Sequence, residues 1–94
     1  MFVVMADVEL KESMESKFEE WFSESNKILS KADGFVSRRL LRSSDGSYRI
    51  FLQHQSRDTF EKMIGSEEHK ILNAAAIAFM VESPTRMFYD VLVS

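Results

Sequence analysis

The sequence predicts an α+β fold with the element order β-α-β-β-α-β and one antiparallel four-stranded sheet, and three observations carry this. Apolar spacing switches from strand-like to helix-like and back along the chain. Asp45-Gly46 marks a hairpin turn between two extended segments, and a last alternating run follows Ser83-Pro84.

Phe2 to Glu9 is the first strand, a β-rich stretch with apolar residues on both parities until Asp7 and Glu9, so both of its faces are expected to be buried. From Ser13 the period becomes helical: Met14, Phe18, Trp21, Phe22, Ser25, Ile28 and Leu29 share one side, with Glu15, Glu19, Lys27 and Lys31 around the other. Ser13 is the expected N-cap, Lys31 suits the negative end of the helix dipole, and Gly34 supplies a left-handed stop. Phe35 to Arg42 and Ser47 to His54 then pair antiparallel across Ser43-Ser44-Asp45-Gly46. Ser56 starts a short helix through Ile64 that breaks at Gly65. Ser66 caps a second one from Glu67 to about Val81, with Glu67 and Glu68 in its first turn and an alanine-rich centre. Ser83-Pro84 stops that helix, and Arg86 to Val93 is the last strand.

This is the ferredoxin-like βαββαβ arrangement, in which helices cover one face of the sheet only. Yet the strands carry large apolar groups on both parities: Phe35 and Leu41 against Val36 and Leu40, Phe51 against Ile50 and Leu52, Phe88 against Tyr89 and Val91. A solvated face would alternate with polar residues. At roughly 25 cal/mol per Å² of apolar surface, leaving the second face wet costs several kcal/mol, so a homodimer through the open sheet face is expected.

Size and composition bound the function. A chain of 94 residues encloses one modest core, so a single domain over 1–94 is expected, and 45% hydrophobic with 29% charged residues is the balance of a folding, soluble chain. There is no cysteine, which removes disulfides, thiolate nucleophiles and Cys-ligated metals. Net charge is −3 with the twelve basic residues spread along the chain, so nucleic acid is not an expected partner. No apolar run approaches the ~20 residues that cross a bilayer, and Met1 to Asp7 lacks a basic leader and a small-residue cleavage site. No membrane partner and a cytoplasmic location are therefore expected. No phosphate-binding loop, dinucleotide fingerprint, His-Glu-x-x-His motif or calcium loop occurs.

Gly34-Phe35-Val36-Ser37-Arg38-Arg39-Leu40-Leu41-Arg42, the hairpin after it, and Phe60-Glu61-Lys62-Met63-Ile64-Gly65-Ser66-Glu67-Glu68-His69 together carry a pattern: a Gly-Phe strand ending Leu-Leu-Arg, then Phe, Ser, two residues and His. In this the chain resembles the antibiotic biosynthesis monooxygenase family, and its element order is similar over essentially the whole length. The resemblance implies a dimeric α+β barrel, two four-stranded sheets facing each other, with a pocket between the sheet and helices of each protomer. Members of that family include cofactor-free oxygenases of aromatic phenols and quinols, haem-degrading enzymes, and proteins with no established reaction.

The haem-degrading relatives share an Asn on the first strand, a Trp in the helix after the hairpin and a His on the next helix. Here those positions fall on Ala6, Asp7 or Val8, on Met63, and on Leu72 or Asn73, so the pattern is not retained. His69, one turn earlier, is the residue through which haem stays open.

Two histidines are the candidate proton acceptors. His54 shares parity with Tyr48, Ile50 and Leu52, so it either faces their apolar space or, as a strand-end residue, reaches water. His69 either packs beside the Ser66 cap or borders the pocket that the resemblance implies. Asp7, Arg38, Arg39, Arg49 and Asp90 lie within strands, where a charge requires a partner. Ion pairing is the structural expectation, but an arginine facing the pocket would hold an anionic group or a phenolate. Trp21, Met63, Asn73 and Tyr89, with Arg38, complete the expected substrate-binding set; in most folds Trp21 and Met63 would simply be core. Adjacent Glu67 and Glu68 point about 100° apart on a helix and do not make a carboxylate pair.

The function expected is a cofactor-independent monooxygenase of a small aromatic or quinol-type molecule, with His54 or His69 taking the proton. The alternative is a non-catalytic dimeric ligand-binding or stress-response domain of the same fold.

Overall fold

Seven elements follow one another in a computed structural model that describes residues Met1–Ser94. They are β1 (Phe2–Val8), α1 (Glu15–Leu29), β2 (Phe35–Arg42), β3 (Tyr48–His54), α2 (Arg57–Ile64), α3 (Glu67–Ile77) and β4 (Thr85–Asp90). The strands form one sheet in the order β2-β3-β1-β4, antiparallel at every pairing. This is the ferredoxin-like α+β fold; the sheet is open, with β2 and β4 as its edges.

Alternation assigns the faces. In β1, Phe2, Val4, Ala6 and Val8 point toward the helices, opposite His54, Leu52, Ile50 and Tyr48 of β3. Against them α1 presents Phe18, Phe22, Ser25 and Leu29, a stripe at helical spacing. The buried residues form two clusters. One gathers Phe2, Val4, Leu29, Leu52, Phe60 and Met63; the other gathers Val8, Phe18, Phe22, Tyr48, Ala76 and Met80. The small side chain of Ala6 lies between them.

Several boundaries move from their expected places, each for a local reason. Ser13 does not cap α1: its φ of 64° is left-handed, and Met14 takes the cap position with no side-chain bond. The helix ends at Leu29, before Gly34. That glycine (φ +79°) instead turns the chain into β2, so close to Thr59 that a Cβ there would overlap its side chain. The Phe2–Glu9 and Ser47–His54 strands shorten to Val8 and Tyr48, the last residues in register, because Ser47 is held in the hairpin turn by Asp45. α3 stops at Ile77 and not at Val81, since Lys11 N–H and Val81 N–H donate to the carbonyls of Phe79 and Glu9 and Met80 is buried against the bridge at Leu10. β4 stops at Asp90 and not at Val93: Asp90 lies opposite Phe2, the last pair in register, and one backbone bond follows it, from Val91 N–H to the Met1 carbonyl at 3.0 Å. Ser56 and Ser66 cap α2 and α3 as expected, through Thr59 N–H and His69 N–H.

Candidate functional site

A cavity of about 70 Å³ opens between the two core clusters, over Ala6. Its walls are largely apolar: Val4, Leu29, Leu52 and Phe60 on one side, Ala76 and Met80 on the other. Four polar or amphipathic groups converge on it, Trp21 from α1, Arg38 from β2, and His69 and Asn73 one helical turn apart on α3. Arg86 of β4 closes the set and donates to Asn73 Oδ1 at 3.4 Å.

Arg38 is fixed before any ligand arrives. Its Nη1 donates to Ser25 Oγ at 2.7 Å and Asn26 Oδ1 at 2.8 Å, while Asn26 Nδ2 donates back to the Arg38 carbonyl at 3.0 Å. The guanidinium lies 4.0 Å from the centre of the Phe22 ring and 5.8 Å from that of Trp21. No carboxylate comes within salt-bridge distance of it; the ion pairs are Lys27–Glu24, Arg49–Asp7 and Arg57–Glu61. The expectation of ion pairing thus holds for Asp7 and Arg49, at 2.6 Å, and not for Arg38, Arg39 or Asp90. Burial lowers the pKa of Arg38 to about 10, which leaves it charged at neutral pH.

Burial also pushes the His69 pKa below its ordinary value, and the positive charges of Arg86 and then Arg38 push it the same way. The imidazole therefore faces the cavity neutral at pH 7, with a lone pair available to accept a proton.

The cavity brings together Trp21, Arg38, His69 and Asn73 of the expected set and leaves out His54, Met63 and Tyr89. His54 does not reach water; it is fully buried, with Nδ1 3.0 Å from Thr59 Oγ1 and Nε2 3.2 Å from Met63 Sδ. Met63 is core, and Tyr89 lies on the opposite face of the sheet, beside Val3. Arg86 was not singled out in the sequence, although its place two residues before Phe88 on the helix-facing parity of β4 was a usable signal.

Residues 1–75 match the family model described as "Antibiotic biosynthesis monooxygenase". The chain belongs to the antibiotic biosynthesis monooxygenase family. Solved structures agree on the fold. Rv0793 from Mycobacterium tuberculosis superposes with a TM-score of 0.85 at 18% identity, over 99% of this chain and 96% of that one. SnoaB from Streptomyces nogalater, a cofactor-independent oxygenase, gives 0.82 at 18% identity over 99% and 95%. A conserved protein from Methanosarcina mazei Go1 gives 0.85 at 11% identity over 94% and 89%. No curated protein matches the chain by sequence.

On its α3 side the cavity is closed by Leu72, Ala76 and Met80, and His69 is the histidine that lines it. No group of three or more His, Asp or Glu side chains is placed to hold a metal ion. No helix is long and apolar enough to cross a membrane.

Proposed function

We propose that the chain is a cofactor-independent oxygenase of a small phenol or quinol, acting as a cytoplasmic homodimer. The observation that carries this reading is His69, a neutral imidazole lining an apolar cavity between two arginines. A phenol ordinarily holds its proton to about pH 10. Arg38 and Arg86 favour the phenolate, and His69 is the base that takes the proton as it forms. Electron-rich phenolate then reduces oxygen directly. In the balanced reaction a phenol becomes a quinone: one oxygen atom enters the ring carbon opposite the hydroxyl. The other leaves as water with the ring hydrogen and the phenolic proton. The apolar walls keep bulk water from the reduced oxygen species while it is bound.

His54 is set aside as the base, because it is buried against Thr59 and Met63, away from the cavity. The small cavity volume favours one second reading, a domain that holds its ligand without turning it over. An oxygen electrode separates the two. Purified protein with a panel of monocyclic phenols and quinols, and no added metal or flavin, is expected to consume oxygen. His69→Gln lowers that rate by about 10²-fold or more. Thermal stabilisation by the same compounds with no oxygen uptake would select the holding domain instead.

A further inference from the structure

Arg38 is a cation set in a largely apolar wall with no anion beside it. Removing an ion from water without a counter-charge is costly, so its surroundings indicate what it is there to meet. Both hydrogen bonds it donates come from Nη1, to Ser25 and Asn26. Ser25 Oγ is 1% exposed as a residue and donates its own hydrogen to the Phe22 carbonyl at 2.8 Å, so toward Arg38 it acts only as acceptor. Phe22 supports one flat side of the guanidinium. The whole arrangement holds the plane still and leaves the Nε–Nη2 edge without a partner. That edge presents two parallel N–H groups, the geometry that matches the two oxygens of a carboxylate.

Arg86 stands apart from this. β2 and β4 are the two edges of the sheet, three strand spacings of ~4.8 Å apart, so the two arginines approach the cavity from opposite sides. Of the two, Arg86 acts more strongly on His69. The cavity therefore has a His69–Arg86 end and an Arg38 end, with Leu52, Val4 and Ala6 as its apolar floor between them. Its volume, about 70 Å³, leaves room for no more than one ring, and that ring enters only with the mouth opened.

We infer that the natural ligand is a monocyclic aromatic acid whose carboxylate is bound by the Nε–Nη2 edge of Arg38, its ring lying on the apolar floor toward His69. This rests on the reading that the cavity is the substrate site, but not on turnover.

The test is binding by NMR titration or calorimetry with benzoate, 4-hydroxybenzoate, benzamide and phenol as probes. Benzoate and 4-hydroxybenzoate are expected to bind about ten-fold or more tightly than benzamide, the neutral analogue of the same shape. Bound benzoate also raises the His69 pKa, seen in the imidazole ¹⁵N shifts, because it offsets the charge of Arg38. Arg38→Met removes the preference for the acid, whereas Arg86→Gln retains it. Equal binding of benzoate and benzamide by the unaltered protein overturns the inference and needs no variant to fold; so does failure of benzoate to bind at millimolar concentration. A folded Arg38→Met protein that still prefers benzoate also overturns it. The oxygenase reading fails separately: acid-selective binding without oxygen uptake removes the reaction and keeps the ligand class. Oxygen uptake equally fast with phenol and 3-hydroxybenzoate, an acid whose ring carbon opposite the hydroxyl still carries a hydrogen, does the reverse.

Discussion

At the level of single residues the two histidines have opposite settings and the same direction of pKa change. His69 lines the cavity and His54 is enclosed in the core, yet burial pushes both below the ordinary imidazole value. The consequence for stability has a definite sign. Between the lowered folded-state pKa and the unfolded value of about 6.5, the unfolded chain binds protons that the folded protein refuses. Stability is then full above about pH 6.5 and declines as pH falls from there toward the folded-state pKa. His54→Phe keeps a ring in the space and leaves the Thr59 hydroxyl its bond to the Ser56 carbonyl, at 3.0 Å. Urea titrations at pH 7, 6 and 5 are expected to show a shallower loss of stability in this variant than in the unaltered protein. An unchanged slope would mean that His54 already takes up a proton inside the fold.

α3 is the element on which the site depends, since it carries both His69 and Asn73 to the cavity. Its alanine-rich sequence supports helix but offers little to grip the sheet; Ala76 is the only residue of α3 that is fully buried. The Ser66 cap therefore matters more than usual: its Oγ accepts from His69 N–H at 3.2 Å and donates to the Met63 carbonyl at 2.6 Å, joining the start of α3 to the end of α2. Ser66→Ala is expected to cost about 1 kcal/mol of stability. It also weakens ligand binding, because the turn that positions His69 frays; the paired measurement is a denaturation curve and a titration with one ligand. The cap itself was legible in the sequence, as was the hairpin at Asp45-Gly46, because both use residues with a specific backbone role. The end of α3 was not: helix propensity runs on to Val81, and only the tertiary contact of Met80 with Leu10 overrides it. The choice between Arg38 and Arg39 was hidden for a related reason. A register shift between Phe35 and Ser37 puts Phe35 and Arg38 on the same face despite their opposite parity, and no count of alternation along β2 alone reveals that.

Across the whole molecule, the apolar surplus on both strand parities was visible in the sequence, and the fold locates it. On the face away from the helices, Phe51, Met5 and Met87 lie side by side across β3, β1 and β4, with Val3 and Tyr89 in the next row. Met87 is 53% exposed and Tyr89 44%, while Arg39, Asp7 and Arg49 border the patch with charge. A single protomer has no element to cover this surface, and contiguous exposed apolar area rimmed by charge is what an interface needs. In a two-fold pairing the part of each such side chain still exposed is buried against the same patch of the other copy, gaining roughly 25 cal/mol for each Å² of apolar surface removed from water. Sedimentation at micromolar concentration is expected to give twice the 10.9 kDa mass of the chain. Met87→Glu tests the face directly: the side chain is exposed in the protomer, so folding is preserved, but pairing would bury a carboxylate with no partner and cost about 3 kcal/mol or more. That loss corresponds to over ~100-fold in dissociation constant, enough to give a folded monomer at the same concentration. If Met87→Glu sediments as the unaltered protein does, the two copies meet elsewhere; if the unaltered protein is itself a stable monomer, the open face is not a dimer interface.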